Sequence, residues 1–190
     1  MSRGLGDVYK RQNGDGEINS LDRIRQDLTD IPQIVYGVNL GITWKQFDLS
    51  LLFQGQAKVI NTIQETWVDP SSGGAGNLMQ WWTEDMWTPE NTDGTKPRLG
   101  TPNKINGTTF TNINAAFFKL KNAEIGYTLP VAVREKIGVA NARVYLSGTN
   151  LFSFDHMRGM GIDPEATGSG YGGWALNPQR LINLGVNVSF

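Results

Sequence analysis

Residues 34–56 read IVYGVNLGITWKQFDLSLLFQGQ. Ile34, Tyr36, Val38, Leu40, Ile42 and Trp44 alternate with Val35, Gly37, Asn39, Gly41 and Thr43. After Lys45-Gln46 the alternation resumes, with Phe47, Leu49, Leu51 and Phe53 on one side and Asp48, Ser50 and Gln54 on the other. A period of two is that of a β-strand, because successive side chains point to opposite faces of a sheet. Two such runs joined by two residues predict an antiparallel hairpin over 34–44 and 47–56 with one wholly apolar face.

The same pattern recurs downstream. In LINLGVNVSF (181–190), Ile182, Leu184, Val186, Val188 and Phe190 alternate with Asn183, Gly185, Asn187 and Ser189. In ARVYLSGTNLFSF (142–154), Val144, Leu146, Phe152 and Phe154 oppose Arg143, Ser147, Thr149 and Ser153, although Tyr145 and Leu151 blur the contrast. In AFFKLKNAEIGYTLP (116–130), Ala123, Ile125, Tyr127 and Leu129 share a parity that Phe118 and Leu120 do not. A β-bulge near Lys121 would restore a single apolar face. The strands expected are therefore 34–44, 47–56, 117–129, 142–154 and 180–190, and only VAVREKIG (131–138) has the make-up of a helical turn.

Composition narrows the function. The chain has 190 residues, a formal net charge of −1, no cysteine and a single histidine, His156. Thiol catalysis, zinc–thiolate sites and disulfides are excluded, and so is a multi-histidine metal site. Near-neutral charge argues against a nucleic-acid surface. No apolar run approaches the roughly 20 residues of a membrane helix, but a membrane strand needs only about 9–11 residues of alternating polarity.

Loop placement separates a membrane barrel from a soluble sandwich. The entry, residues 56–114 and residues 155–179 are long connections; Lys45-Gln46 and 130–141 are short. In an up-and-down barrel this alternation collects the long loops at one end, as in outer-membrane proteins. Trp44, Phe47, Tyr127 and Phe190 then fall at the short-turn end, and Tyr36, Phe53, Phe118, Phe152 and Phe154 near the long loops. Two aromatic girdles bounding an apolar band are expected of a membrane barrel. Asn39, Thr43, Asp48, Ser50, Gln54, Glu124, Thr128, Asn183 and Asn187 would face the lumen. The alternative is a soluble β-sandwich whose aromatics pack a core.

Several stretches together identify a family. NGDGEI (13–18), IPQIVYGVNLGITWKQFDLSLLFQGQ (31–56), WWTEDMWTPENTDGTKPRL (81–99), FFKLKNAEIGYTLP (117–130), RVYLSGTNLFSF (143–154), GIDPE (161–165) and the terminal LINLGVNVSF occur in that order. The series resembles the C-terminal part of the SusC/RagA family of TonB-linked outer-membrane transporters, best known from Bacteroidetes. The resemblance implies an all-β fold: about the last five strands of a 22-stranded transmembrane barrel with long extracellular loops, spanning residues 13–190. It further implies outer-membrane import of oligosaccharides or peptides under a SusD-like surface lipoprotein. Contact with the TonB complex would fall to a plug-bearing N-terminal part outside these residues. It implies no enzyme activity, and no carboxylate pair suited to glycoside hydrolysis stands out from the sequence.

Three groups are candidates for binding. RQNGDGEINSLD (11–22) resembles a calcium loop in which Asn13, Asp15, Glu17 (through its carbonyl) and Asp22 are ligands and Gly16 makes the turn. Arg11 stands where the first acidic ligand belongs, and a plain Asn-Gly/Asp-Gly turn is the other reading. The preceding MSRGLGDVYKRQ (1–12) matches no strand pattern and is expected to be a non-native leader, a translated sequencing-adapter remnant. Trp81, Trp82 and Trp87 lie in a connection of more than fifty residues. They either stack on a sugar or partner surface or hold the loop together. Finally, Asp163, Glu165, Tyr171 and Trp174 in GIDPEATGSGYGGW (161–174) either line the barrel mouth or turn a loop. The competing assignment for the whole chain is a soluble, calcium-dependent carbohydrate-binding β-sandwich module.

Overall fold

The computed structural model describes residues 27–63, 79–98, 109–165 and 178–190. Seven strands appear: β1 (Ile34–Trp44), β2 (Phe47–Ala57), β3 (Ile60–Thr62), β4 (Asn112–Asn114), β5 (Phe117–Thr128), β6 (Asn141–Asp155) and β7 (Leu181–Ser189). Among the described residues there are two short α-helices, α1 (Gln80–Thr83) and α2 (Val131–Ile137). Five strands form one antiparallel sheet in the order β1-β2-β5-β6-β7, and β3 pairs with β4 in a separate two-stranded sheet. All five expected strands are present with ends shifted by at most one residue, and α2 occupies the expected turn. The sandwich alternative fails here, because the five strands lie in one layer rather than two.

Register lines the apolar residues up across the sheet. Leu40 opposes Leu51, Leu51 opposes Ala123, and Ala123 opposes Gly148; Ile42, Leu49, Ile125, Leu146 and Leu184 form the next row. No described residue covers this face: Leu40 is 47 % exposed, Ile42 61 % and Leu184 76 %. An apolar sheet face of this extent is stable only against a medium without water. Its borders are aromatic. At the short-turn end Trp44 opposes Phe47, whose ring lies 4.7 Å from that of Tyr127. At the long-loop end the ring of Phe118 stacks on Phe53 at 5.3 Å, and Phe152 meets Phe154 at 5.3 Å.

The bulge falls at the expected residue. Phe53 opposes Leu120 and Leu52 opposes Asn122, so Lys121 has no counterpart on β2, and Phe118 and Leu120 rejoin the apolar face. On β6 the irregularity is compensated at Asn150, whose φ of 52° turns the strand. Leu151 then lies against the apolar side of Gly148, where an added Cβ would come within 2.6 Å of its Cδ2. The parity that Leu151 blurs in the sequence is thereby resolved: it covers the glycine rather than entering the polar face.

The turns follow from local chemistry. Lys45 adopts φ 54° in the two-residue hairpin, as a connection this short requires. Pro130 precedes α2, and Gly138, with φ 72°, ends it in the left-handed conformation. The buried core lies among the long loops: Val59, Ile63, Trp82, Ala115, Met157 and Ile162, flanked by Met79, Trp81, Phe110, Ile113 and Met160. The described parts of the long connections thus pack together, joined by the β3–β4 ribbon.

Candidate functional site

The polar face carries two ion-paired groups, one near each end of the strands. At the short-turn end, Arg143 on β6 reaches across to β5 and β2. Its Nε donates to Asp48 Oδ1 at 3.0 Å, and its Nη2 donates to Asp48 Oδ2 and, at 2.7 Å, to Glu124 Oε1. The guanidinium lies over Gly126, where a Cβ would stand 2.2 Å from Nη2. Next to it the Tyr145 ring covers Gly185, within 2.2 Å of the place a Cβ would take. On the apolar face Tyr36 covers Gly55 in the same way, and its hydroxyl donates to the Phe117 carbonyl at 3.1 Å.

At the long-loop end, Lys119 of β5 is buried, its side chain 4 % exposed. A buried ammonium is tolerated only when paired and fully hydrogen-bonded. Its Nζ donates to both oxygens of Asp163 at 2.7 Å and to Glu165 Oε2 at 2.9 Å. Lys121, displaced by the bulge, donates to both oxygens of Glu165 at 2.9 and 2.7 Å. Burial alone would raise the Glu165 pKa, but hydrogen bonds from Lys121 and Lys119 outweigh it and hold the carboxyl below its ordinary value. Gln56 Nε2 donates to the Ala115 and Pro164 carbonyls at 3.0 and 3.3 Å. The Asp163-Pro164-Glu165 turn is thus stapled onto the polar face of β2 and β5.

Beside the staple opens a cleft of about 200 Å³, walled by Lys119, Ser153, Asp155, Arg158, Asp163 and Arg180 among others. It lies on the polar side of the sheet and at the end where the long loops gather. A volume this small accommodates one functional group of a ligand rather than a whole one.

The sequence candidates fall differently. Trp82 is 4 % exposed and belongs to the loop core. It packs edge-on to Trp81 at 5.5 Å and to Phe110 at 6.1 Å. Trp87 is half-buried, and its backbone N–H donates to the Lys96 carbonyl at 2.8 Å. The segment around it is closed by Asp85, which accepts from Thr95 Oγ1 and from Lys96 Nζ at 3.1 Å. The structure therefore unites Trp81 and Trp82 and leaves Trp87 on a separate turn. Asn13, Asp15, Glu17, Asp22, Tyr171 and Trp174 lie outside the described residues. Among the described residues no group of three or more histidines and carboxylates could hold a metal ion. Asp163 and Glu165 lie over the polar face of the sheet, held by the two lysines. Sequence reasoning passed over Lys119, Lys121, Arg158 and Arg180. For Lys119 a signal existed: a cation on the polar parity of a strand otherwise rich in aromatics.

Comparisons with known proteins agree with this geometry. No family model matches the chain. It is 30% identical over 199 residues to TonB-dependent receptor P26 of Formosa agariphila, covering 97% of this chain and 20% of that protein. It is 30% identical over 204 residues to TonB-dependent receptor P3 of the same organism, covering 97% of this chain and 19% of that protein. Among solved structures it is similar to the RagAB peptide importer in its open-open state, at 26% identity and a TM-score of 0.68. In the closed-closed state the identity is 26% and the TM-score 0.71. Each likeness covers 92% of this chain and 19% of the other. The chain spans about a fifth of the length of the relatives it matches.

Proposed function

Since the chain belongs to the SusC/RagA family of TonB-dependent outer-membrane transporters, we propose that it forms part of the wall of a nutrient importer. The cargo is an oligosaccharide or a peptide, taken up with a SusD-like lipoprotein over the long-loop end and driven by the TonB complex. The observation that carries this reading is the two-sidedness of the sheet. One face is apolar, uncovered and rimmed by aromatics. The other is lined with ion pairs beside a small open cleft. A lipid-facing exterior and a hydrated interior are what an import barrel needs.

The loop core built on Trp82 and Met157 gives the long-loop end a folded surface on which a lipoprotein lid can seat. In this reading Trp81 and Trp82 shape that surface from within, and Trp87, Tyr171 and Trp174 supply contacts to partner or cargo. Calcium, if held at Asn13, Asp15, Glu17 and Asp22, orders a loop rather than taking part in transport.

The test is made on the whole receptor in its own cell. A tagged receptor should fractionate with the outer membrane and bring a surface lipoprotein with it after detergent extraction. Deleting its gene should abolish uptake of fluorescent oligosaccharides or of fluorescent peptides, and the cargo is whichever is lost. Unchanged uptake of both, with no lipoprotein recovered, would refute the reading.

A further inference from the structure

The lining of the cleft beside the Asp163–Glu165 staple carries more cations than carboxylates: Lys119, Arg158 and Arg180 against Asp155 and Asp163. Arg158, from the 3-10 turn after β6, and Arg180, immediately before β7, both line it and both are exposed. Neither carboxylate on the same wall is paired with these arginines. Asp163 receives Lys119, and Asp155 accepts from the Ser153 hydroxyl and, at 3.0 Å, from the Met157 N–H. Lys119 has spent its three donors on Asp163 and Glu165. Neither arginine side chain makes an ion pair or hydrogen bond with a described residue. The sequence between the staple and Pro178, ATGSGYGGWALN (166–177), contains no aspartate or glutamate to neutralise them.

Two guanidinium groups line a cleft of about 200 Å³, a volume that suits a single small anionic group, and guanidinium is the side chain best suited to bind a carboxylate. The cleft opens on the polar face at the loop end. We propose that Arg158 and Arg180 form a subsite for a carboxylate of the imported oligomer, either a peptide carboxylate or the uronate of an acidic oligosaccharide. This assignment rests on the import reading and adds the charge class of the cargo.

The experiment uses the intact receptor with its lipoprotein, in cells for uptake and in detergent for binding. Four probes are compared: a peptide with a free C-terminus and its amide, and an oligogalacturonate and its methyl ester. The wild-type receptor should prefer the acid of one pair, and that pair identifies the source of the carboxylate. The Arg158→Gln/Arg180→Gln variant should bind that acid about 10- to 100-fold more weakly, the size of losing a charge-assisted pair. It should bind the neutral partner unchanged. Raising salt should narrow the wild-type preference, and Arg158→Lys/Arg180→Lys should keep part of it. Outer-membrane levels and heat-modifiable gel migration establish that the variants fold. Equal binding of acid and neutral forms by the wild type overturns the subsite while leaving the import reading intact. An equal loss for both forms in the glutamine variant assigns the arginines to structure and also overturns the subsite. Binding and uptake of none of the four probes overturns the subsite, while the import reading is decided by the gene deletion and lipoprotein recovery.

Discussion

Replacing Lys119 by methionine isolates the staple that holds the β6–β7 connection on the sheet. The lysine side chain is 4 % exposed, and its loss takes from Asp163 the ammonium that donates to both its oxygens, while Glu165 keeps Lys121. Removing one partner of a buried pair costs about 3–5 kcal/mol. Asp163 and Glu165 retain 15 % and 24 % exposure, and water there offsets part of the penalty, so about 2–3 kcal/mol is expected. This energy bears on docking of the turn rather than on the strands, whose ladders remain intact. At 1.4 kcal/mol per decade, the detached population rises roughly 30- to 150-fold. Hydrogen exchange of the intact receptor in detergent reads that ratio directly, because amides in the fast-closing regime report the open fraction. The Met160 and Glu165 amides, bonded to the Met157 carbonyl and to Asp163 Oδ1, should lose protection by that factor. Amides in β1 and β2 should not change. Unaltered exchange at Met160 and Glu165, or an equal loss throughout the sheet, would refute the assignment of Lys119 as a local staple.

Further outcomes are expected. The staple should also answer to pH: Glu165 has a depressed pKa, so its contribution is complete above its ordinary value of 4.5 and fades as pH falls through the folded value below that. Exchange of the 157–165 amides should therefore accelerate only in that acid range, and acceleration near neutrality would contradict it. Leu40 lies midway between the girdles marked by Tyr36 and Trp44. Leu40→Arg should cost about 2–4 kcal/mol of folding free energy into lipid vesicles, and a near-zero value would argue against lipid on that face. Trp82→Ala should remove about 3–5 kcal/mol from the loop core. Limited proteolysis should then cut the loops around Thr83 and Ile113 while the five-stranded sheet resists; cleavage within the sheet would show that the loop core supports the strands.

How much was legible follows from what each feature depends on. The five long strands and the bulge at Lys121 were readable because alternation is local, and a break in parity betrays an extra residue. The β3–β4 ribbon was not, since three residues per strand carry no periodic signal and their pairing joins segments some fifty residues apart. Leu151 misled the eye because the positive φ at Asn150 redirects it, and asparagine in a strand does not announce that conformation. The staple was hidden for another reason. Lys119 and Asp163 are 44 residues apart, and only the register of β5 with β6 brings the loop back over the lysine. The Asp163-Pro164-Glu165 turn drew notice as a turn, but its carboxylates gained meaning only from the cations beneath them. The packing alternative raised for the loop tryptophans describes where Trp82 lies. Tyr171 and Trp174 of the 161–174 stretch fall outside the described residues.

The side chains lying over glycines have a consequence for assembly. A strand that slips by two residues during insertion keeps its apolar side toward lipid and its polar side inward, so face polarity cannot detect the error. The fit of Tyr145 over Gly185 can: a two-residue shift of β7 would set Asn183 or Asn187 against the ring. Likewise a shift between β5 and β6 would present Glu124 or Thr128 to Arg143 in place of Gly126. A shift of β2 against β1 would put Phe53 or Ala57 opposite Tyr36. Each glycine is a keyway cut for one key, and together they proofread the one kind of misalignment that the membrane itself overlooks.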